Sequence, residues 1–179
     1  MAYSEFEDEY DAWMRGEEHH IGGTILKDPI GKLEPRLPVA VGPKATVAEC
    51  IALLCQHGIG CVLVTDDGKA NGRPVGIFTE RDVVKKVARL GLDAASTEVS
   101  KVMTPNPETL PADERVVVAL NRMMVGGYRH IPVVDGAGRA VGILSVRNFV
   151  RFIVSLFPEA VLNQPPSRRL KHPNRMDGG

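Results

Sequence analysis

The chain has 179 residues, 44% hydrophobic and 25% charged, with 22 basic side chains against 22 acidic ones. That length suits one ordinary domain or two small units packed together, and the composition is average for a globular protein. The neutral balance argues against a domain-wide footprint for nucleic acid, and the low aromatic content, with the single Trp13, against a stacking platform for single strands.

The chain opens on an acidic arm, residues 1–23, whose stretch 4–18 reads SEFEDEYDAWMRGEE, and it closes on a Pro-containing basic tail, 158–179, with RRLKHPNR at 168–175. The two ends are either solvated tails or segments that meet electrostatically. His19-His20 has no further ligands near it in sequence and reads as solvated rather than metal-bound. No basic segment followed by an apolar core opens the chain, and NFVRFIVSLF (148–157) is too short to span a bilayer, so a soluble cytoplasmic protein is expected. Cys50, Cys55 and Cys61 show no CxxC spacing and are expected to be buried thiols of a reducing compartment.

Between the arms, a short extended piece (39–41) precedes a helix that starts at Thr46, with Glu49 completing a capping box. Val47, Cys50, Ile51 and Leu54 form its apolar face, and Gly58 stands where a left-handed cap would end it. A buried strand (CVLVTD, 61–66), a Gly-bearing loop, a second strand (VGIF, 75–78) and a closing helix through Val83, Val84 and Val87 follow. The whole series then recurs. With an offset of 69 (135 − 66), PVAVGPKATVAECIALLCQHGIGCVLVTD (38–66) falls without a gap on PETLPADERVVVALNRMMVGGYRHIPVVD (107–135), and a shorter loop reduces the later offset to 66 (142 − 76). In the second copy Asp113 is the expected helix cap, Val116, Ala119, Leu120 and Met123 the face, Gly127 the end, 130–135 and 141–144 the strands, and Phe149, Val150, Ile153 and Val154 the closing helix. The predicted fold is α/β, a β-α-β-β-α unit written twice over 24–95 and 96–157, the two units stacked sheet to sheet on a shared core as one body.

The two strand-to-helix turns are GIFTERD (76–82) and GILSVRN (142–148). Thr79 and Asp82 have capping-box spacing, and capping alone accounts for both. A helix N-terminus is also a seat for an anion, so capping and binding are compatible.

The repeat order, MTPNP (103–107), RHIPVVD (129–135) and GIFTERD together resemble a pair of cystathionine β-synthase (CBS) domains, a Bateman module, over roughly residues 24–157. The first copy departs from that pattern at its start, with KLEPRLP (32–38) where the second has KVMTPNP (101–107). The resemblance implies two repeats with pseudo-two-fold symmetry, a regulatory sensor of an adenine nucleotide or derivative (AMP, ADP, ATP, NAD or S-adenosylmethionine, with AMP or ATP foremost), and pairing into a homodimer that signals to a protein effector. It implies no required cofactor. The alternative is a ligand-free dimerisation module with vestigial sites. No P-loop, GxSxG, HExxH or zinc constellation points to an enzyme, and neither membrane nor nucleic acid is an expected partner.

Carried onto this chain, the resemblance puts Asp82 on a ribose diol, whose two donors match a carboxylate's two acceptor oxygens, with Thr79 reaching the sugar or phosphate and Gly76 admitting ligand close to backbone. Arg129 and His130, which stand where the first copy has Gly60 and Cys61, are the expected phosphate readers; Arg81 and Arg147 are weaker candidates that can point to solvent. Val39, Val41, Ile59, Cys61 and Ile77 are the expected adenine pocket. Ser145, Asn148, Thr109 and Tyr128 mark a second site, expected to be weaker. There an amide replaces the carboxylate, a loss of about 1.5–3 kcal/mol or roughly ten- to hundredfold in affinity.

Overall fold

The computed structural model describes residues 25–156 and Pro158; the acidic arm with its His19-His20 pair and the tail beyond Pro158 lie outside the described residues. Local signals set the elements of the first repeat. After β1 (Ala40–Val41), Thr46 caps α1 (Val47–His57): its hydroxyl accepts from the Glu49 amide at 3.2 Å while the Glu49 carboxylate accepts from the Thr46 amide at 2.7 Å. Gly58 ends the helix at φ 56°, a conformation that suits glycine. β2 (Cys61–Thr65) and β3 (Pro74–Thr79) follow, then one turn of α-helix, α2 (Glu80–Asp82), which widens into a π-helical turn over Val83–Ala88. The second repeat comprises β5 (Leu110–Pro111), α3 (Val116–Gly126), β6 (His130–Val134), β7 (Ala140–Ser145) and α4 (Val146–Leu156), with β4 (Thr104–Pro105) between the units. The β-α-β-β-α order thus occurs twice, as the repeat in the sequence requires.

β1 pairs parallel with β2 across the α1 crossover, β2 antiparallel with β3, and β3 antiparallel with β4. The second sheet repeats the order as β5-β6-β7. Where β4 flanks β3 in the first sheet, a bridge between Arg36 and Ile143 flanks β7 in the second.

That bridge exposes an exchange that the linear repeat conceals. Ile30 and Leu33, which open the first unit, are buried in the core of the second, beside Val116, Ala119, Ile131, Leu144 and Phe149. Val99 and Val102, which open the second unit, are buried in the core of the first with Val47, Cys50, Val62, Val64 and Phe78. Each lead-in segment therefore packs on the other unit. Burial falls into these two clusters, not the single shared core expected; Cys61, Leu63 and Ile77, on the opposite face of β2 and β3, are buried outside both.

The exchange also caps the helices. The Val47 amide donates to the Thr97 carbonyl at 2.9 Å and the Val116 amide to the Asp28 carbonyl at 2.8 Å. This corrects the expectation for Asp113. The residue at the start of α3 is Arg115, with no side-chain cap, because the lead-in carbonyls of Asp28 and Leu26 take the exposed amides of Val116 and Val117. The closing-helix faces are also narrower than expected. Val87 and Phe149 are buried, whereas Val84 is 65% exposed and Val150 and Ile153 are each 53% exposed. Of the cysteines, Cys50 and Cys61 are buried as expected and Cys55 is exposed, since it lies on the outer face of α1.

Candidate functional site

Two cavities lie on opposite sides of the pseudo-two-fold axis, one at each strand-to-helix turn. The first, about 230 Å³, is lined by Thr79, Arg81 and Asp82 of the first repeat and by Tyr128, Arg129 and His130 of the second. The second, about 430 Å³, is lined by Ile59, Gly60 and Cys61 of the first and by Ser145, Arg147 and Asn148 of the second. Each cavity combines one unit's turn with the start of the other unit's buried strand.

At the first turn the capping box is complete. Asp82 Oδ2 accepts from the Thr79 amide at 2.9 Å and from its hydroxyl at 2.7 Å, and the Asp82 amide donates back to Thr79 Oγ1 at 3.3 Å. Asp82 is only 7% exposed, and its other oxygen, Oδ1, meets Lys86 Nζ at 2.8 Å. Lys86 also donates to Thr104 Oγ1 at 3.3 Å, on the cavity wall. A carboxylate has about four acceptor positions, so Oδ1 keeps one for a ligand. Arg81 does not point away to solvent: its Nη1 donates to the Gly127 carbonyl at 3.0 Å, across the repeats. Glu108 closes another side, held by Arg122 Nε at 3.0 Å and by the Tyr128 hydroxyl. Burial and that carboxylate push the Tyr128 hydroxyl up to about 12.

At the second turn the amide does something the sequence did not disclose. Asn148 Oδ1 accepts from the Ser145 amide at 2.8 Å and its hydroxyl at 2.7 Å, reproducing the acceptor half of the first turn. Its Nδ2 donates to the carbonyls of Leu33 at 3.1 Å and Glu34 at 2.9 Å. Both donors and both acceptor positions are used, and the residue is 4% exposed. Asn148 fastens the exchanged lead-in segment to the second repeat and has nothing left for a diol.

Thr79, Asp82, Arg129, His130 and Ile77 share the first cavity, while Ser145 and Asn148 line the second. The adenine-pocket grouping is corrected: Val39, Ile59 and Cys61 line the second cavity, and Tyr128 lines the first. The reason is the exchange, which carries 37–39 to the second turn and the equivalent Asn106, Pro107 and Glu108 to the first. Val41 packs on the first core and Thr109 lines neither cavity. Gly76 is not a ligand contact either. It lies under Met103, whose Sδ would clash with a Cβ there, and Gly142 lies likewise under Pro35, 2.7 Å from such a Cβ. These glycines let the lead-in segments cross the sheets. Lys86, Glu108, Arg36, Glu80 and Arg151 were not anticipated, although Lys86 stands at i+4 from Asp82, a readable spacing.

Arg129, His130 and Gly60 line both cavities. Gly60 makes room for the imidazole, since a Cβ there would approach His130 Cε1 to 2.9 Å. Burial, with Arg129 and Arg81 nearby, pushes His130 down to about 4, so it is neutral at pH 7. The first cavity is lined by two arginines, Arg81 and Arg129, and by two carboxylates, Asp82 and Glu108, that are paired with Lys86 and Arg122. The second sets four arginines, Arg36, Arg129, Arg147 and Arg151, against Glu80 alone.

Comparison with known proteins agrees with this architecture. The Meiotically up-regulated gene 70 protein of Schizosaccharomyces pombe is 40% identical over 109 residues, which is 61% of this chain but only 14% of that protein. Among solved structures, the CBS domain protein PAE2072 from Pyrobaculum aerophilum, complexed with AMP, superposes with a TM-score of 0.63 at 30% identity, covering 74% of this chain and 98% of that one. The CBS domain pair of protein MJ0100, in complex with 5-methylthioadenosine and S-adenosyl-L-methionine, has a TM-score of 0.60 at 25% identity, with 70% and 98% covered. Among the described residues no helix is long and apolar enough to cross a membrane. The CBS domain description matches twice, at 34–89 and 99–155, one match for each turn and its sheet, and the chain belongs to the CBS-domain family.

Proposed function

We propose that the chain is a regulatory sensor whose first cavity binds an adenine nucleotide, with AMP the best fit, and that it answers by a change of shape or assembly that a protein effector reads. The observation that carries this reading is the convergence of Thr79, Arg81 and Asp82 from one repeat with Tyr128 and Arg129 from the other. Asp82 Oδ1 offers its open acceptor position to a ribose hydroxyl, and the second hydroxyl competes with Lys86 for the rest of that oxygen. Arg81 and Arg129 supply charge for one phosphate, while Ile77 and Tyr128 offer apolar and aromatic faces to a base. Asp82 and Glu108 are already paired with Lys86 and Arg122, so the charges of Arg81 and Arg129 remain for the phosphate. Relatives solved with AMP, and with 5-methylthioadenosine and S-adenosyl-L-methionine, support an adenosine-bearing ligand.

Calorimetric titration of the full chain with AMP, ADP, ATP, NAD and S-adenosylmethionine tests this. Asp82→Asn keeps an acceptor for Thr79 but turns the oxygen facing Lys86 into a donor, so it removes the diol contact and the Lys86 ion pair together; Lys86→Gln, which keeps the carboxylate, is its control. AMP affinity is expected to fall about ten- to hundredfold in Asp82→Asn, beyond any change in Lys86→Gln, and the unliganded unfolding midpoint to drop with the loss of the Lys86 pair. AMP binding that ignores Asp82→Asn, or no binding of any of the five, overturns the reading.

A second reading, a module that works by dimerisation, is supported by the exposed apolar side chains Val84, Val150 and Ile153 on the closing helices. Sedimentation of Ile153→Glu separates it: a shift to monomer with AMP affinity unchanged makes pairing and sensing independent properties.

A further inference from the structure

We infer that the second cavity is a polyphosphate site: it takes a linear chain of two or three phosphates, free or as the tail of a nucleoside polyphosphate, and holds it by arginines without gripping a ribose. This does not depend on nucleotide binding in the first cavity.

Three observations carry it. First, Arg36, Arg129, Arg147 and Arg151 line one concavity with Glu80 as its only carboxylate. Among the described residues, none of the four arginines is in a salt bridge with a carboxylate. Four like charges around one concavity repel one another, and an anion with several charges removes that repulsion. Guanidinium groups are suited to the task because each presents a planar fork of donors that matches two phosphate oxygens.

Second, the group that would hold a sugar is spent. Asn148 uses both acceptor positions on Ser145 and both donors on the Leu33 and Glu34 carbonyls, so the diol grip of the other turn has no counterpart here. The Ser145 hydroxyl already donates its proton to Asn148, and toward a ligand it can only accept. Recognition therefore falls to the cations.

Third, the cavity has room. At about 430 Å³ it is nearly twice the first, and it opens at the N-terminus of α4, where Val146 and Arg147 sit in the first turn. The positive end of that helix adds to the charge of the arginines, although the Val146 amide itself donates to the Arg129 carbonyl at 3.1 Å. Arg36 comes from the exchanged lead-in, Arg129 from the start of β6, and Arg147 and Arg151 from one face of α4 at i and i+4. The cations thus come from three elements, and a chain of phosphates can engage more of them than one orthophosphate. The two cavities divide the chemistry: one offers paired carboxylates and an acceptor for a diol, the other four arginines without one.

The test uses the full chain at low ionic strength, titrated calorimetrically with orthophosphate, pyrophosphate, tripolyphosphate, ATP and AMP. Tripolyphosphate is expected to bind at least tenfold more tightly than orthophosphate, to raise the unfolding midpoint, and to weaken steeply with added salt. The double variant Arg147→Gln, Arg151→Gln is expected to lose at least tenfold for tripolyphosphate while leaving AMP affinity unchanged, because neither side chain lines the first cavity. Should that variant fold poorly, Arg36→Gln on the opposite wall carries the same expectation. ATP binding no tighter than tripolyphosphate assigns the site to the phosphate chain alone. ATP binding at least tenfold tighter assigns it to nucleoside polyphosphates, with Ile59, Val39 and Leu37 as the apolar wall for the base. Tripolyphosphate binding no more tightly than orthophosphate, or unaffected by the arginine replacements, overturns the proposal even where AMP binds. AMP failing to bind while tripolyphosphate does leaves this site standing and removes the other.

Discussion

Changing Asn148 to aspartate, the residue that the first repeat carries, is expected to destabilise the protein, not to create a second diol site. The side-chain oxygen that accepts from Ser145 is retained in the new carboxylate. What disappears are the two donors to the Leu33 and Glu34 carbonyls, at 3.1 and 2.9 Å. Each such bond contributes about 1 kcal/mol net, and a carboxylate oxygen facing two carbonyls in a site only 4% exposed adds about 1–2 kcal/mol more. A loss of about 3 kcal/mol lowers the unfolding midpoint by roughly 6–12 °C for a chain of this size. Urea unfolding of both proteins near pH 7 measures this. A variant as stable as wild type refutes the bracing role of the amide.

Three further outcomes follow from the same contacts. His130, held down to about 4 by burial and by Arg129 and Arg81, binds fewer protons folded than unfolded between pH 4 and 6.5, so stability rises with pH across that window and levels off above it. His130→Gln should flatten the wild-type urea-midpoint profile there, by at most about 3 kcal/mol. Gly142→Ala should cost more than Gly76→Ala, because the new methyl meets the rigid Pro35 ring in one case and the flexible Met103 side chain in the other; overpacking of this kind costs about 1–3 kcal/mol, read from denaturant midpoints. Burial, with Glu49 and Glu80 adding to it, pushes the thiols of Cys50 and Cys61 up to about 11 and about 12, so iodoacetamide near neutral pH should alkylate Cys55 alone until urea exposes the other two.

Legibility in the sequence followed the range of the interactions. The Thr46–Glu49 and Thr79–Asp82 boxes, the Gly58 and Gly127 caps and the two strand pairs rest on residues close in sequence, and the repeat made the glycine caps, the strand pairs and the strand-to-helix turn visible twice. Asp113 misled because Arg115 begins α3 and its first amides are taken by carbonyls from Asp28 and Leu26, nearly ninety residues earlier. The site divided along the same line. That Arg129 and His130 would meet the other repeat's turn was expected. The crossing applies equally to Tyr128 and to 106–108, and once it is extended to them the offset of 69 pairs Asn106, Pro107 and Glu108 with 37–39 and reproduces both cavity linings. Asn148 could not be read at all from its own neighbourhood. Its amide was compared with a carboxylate facing a ligand, whereas its partners are carbonyls 114 and 115 residues away.

The two cavities are not independent, because Arg129 lines both and the pseudo-equivalent position is Gly60, with no side chain to offer. A phosphate in the first cavity draws the guanidinium toward Asp82; a polyphosphate in the second draws it toward Arg147. One fork cannot serve two anions at full strength, and the anions also repel each other across the axis. The ligands should therefore weaken one another by the same factor, since coupling between binding free energies is reciprocal. If the loss amounts to one charge-assisted hydrogen bond, about 1.5–3 kcal/mol, that factor is roughly ten to a hundred. Measuring AMP affinity with and without saturating tripolyphosphate, and the converse, gives the coupling twice. Arg129→Gln should weaken both ligands and bring the factor close to one, leaving only the residual repulsion. Unchanged coupling in that variant would move the link elsewhere, to the Asn148 brace or the exchanged segments; positive coupling would mean that ordering of the lead-in outweighs competition for the cation. Negative coupling that disappears in Arg129→Gln would identify a single arginine shared by two cavities as the means of comparing two phosphate-bearing ligands, which two identical repeats would not provide.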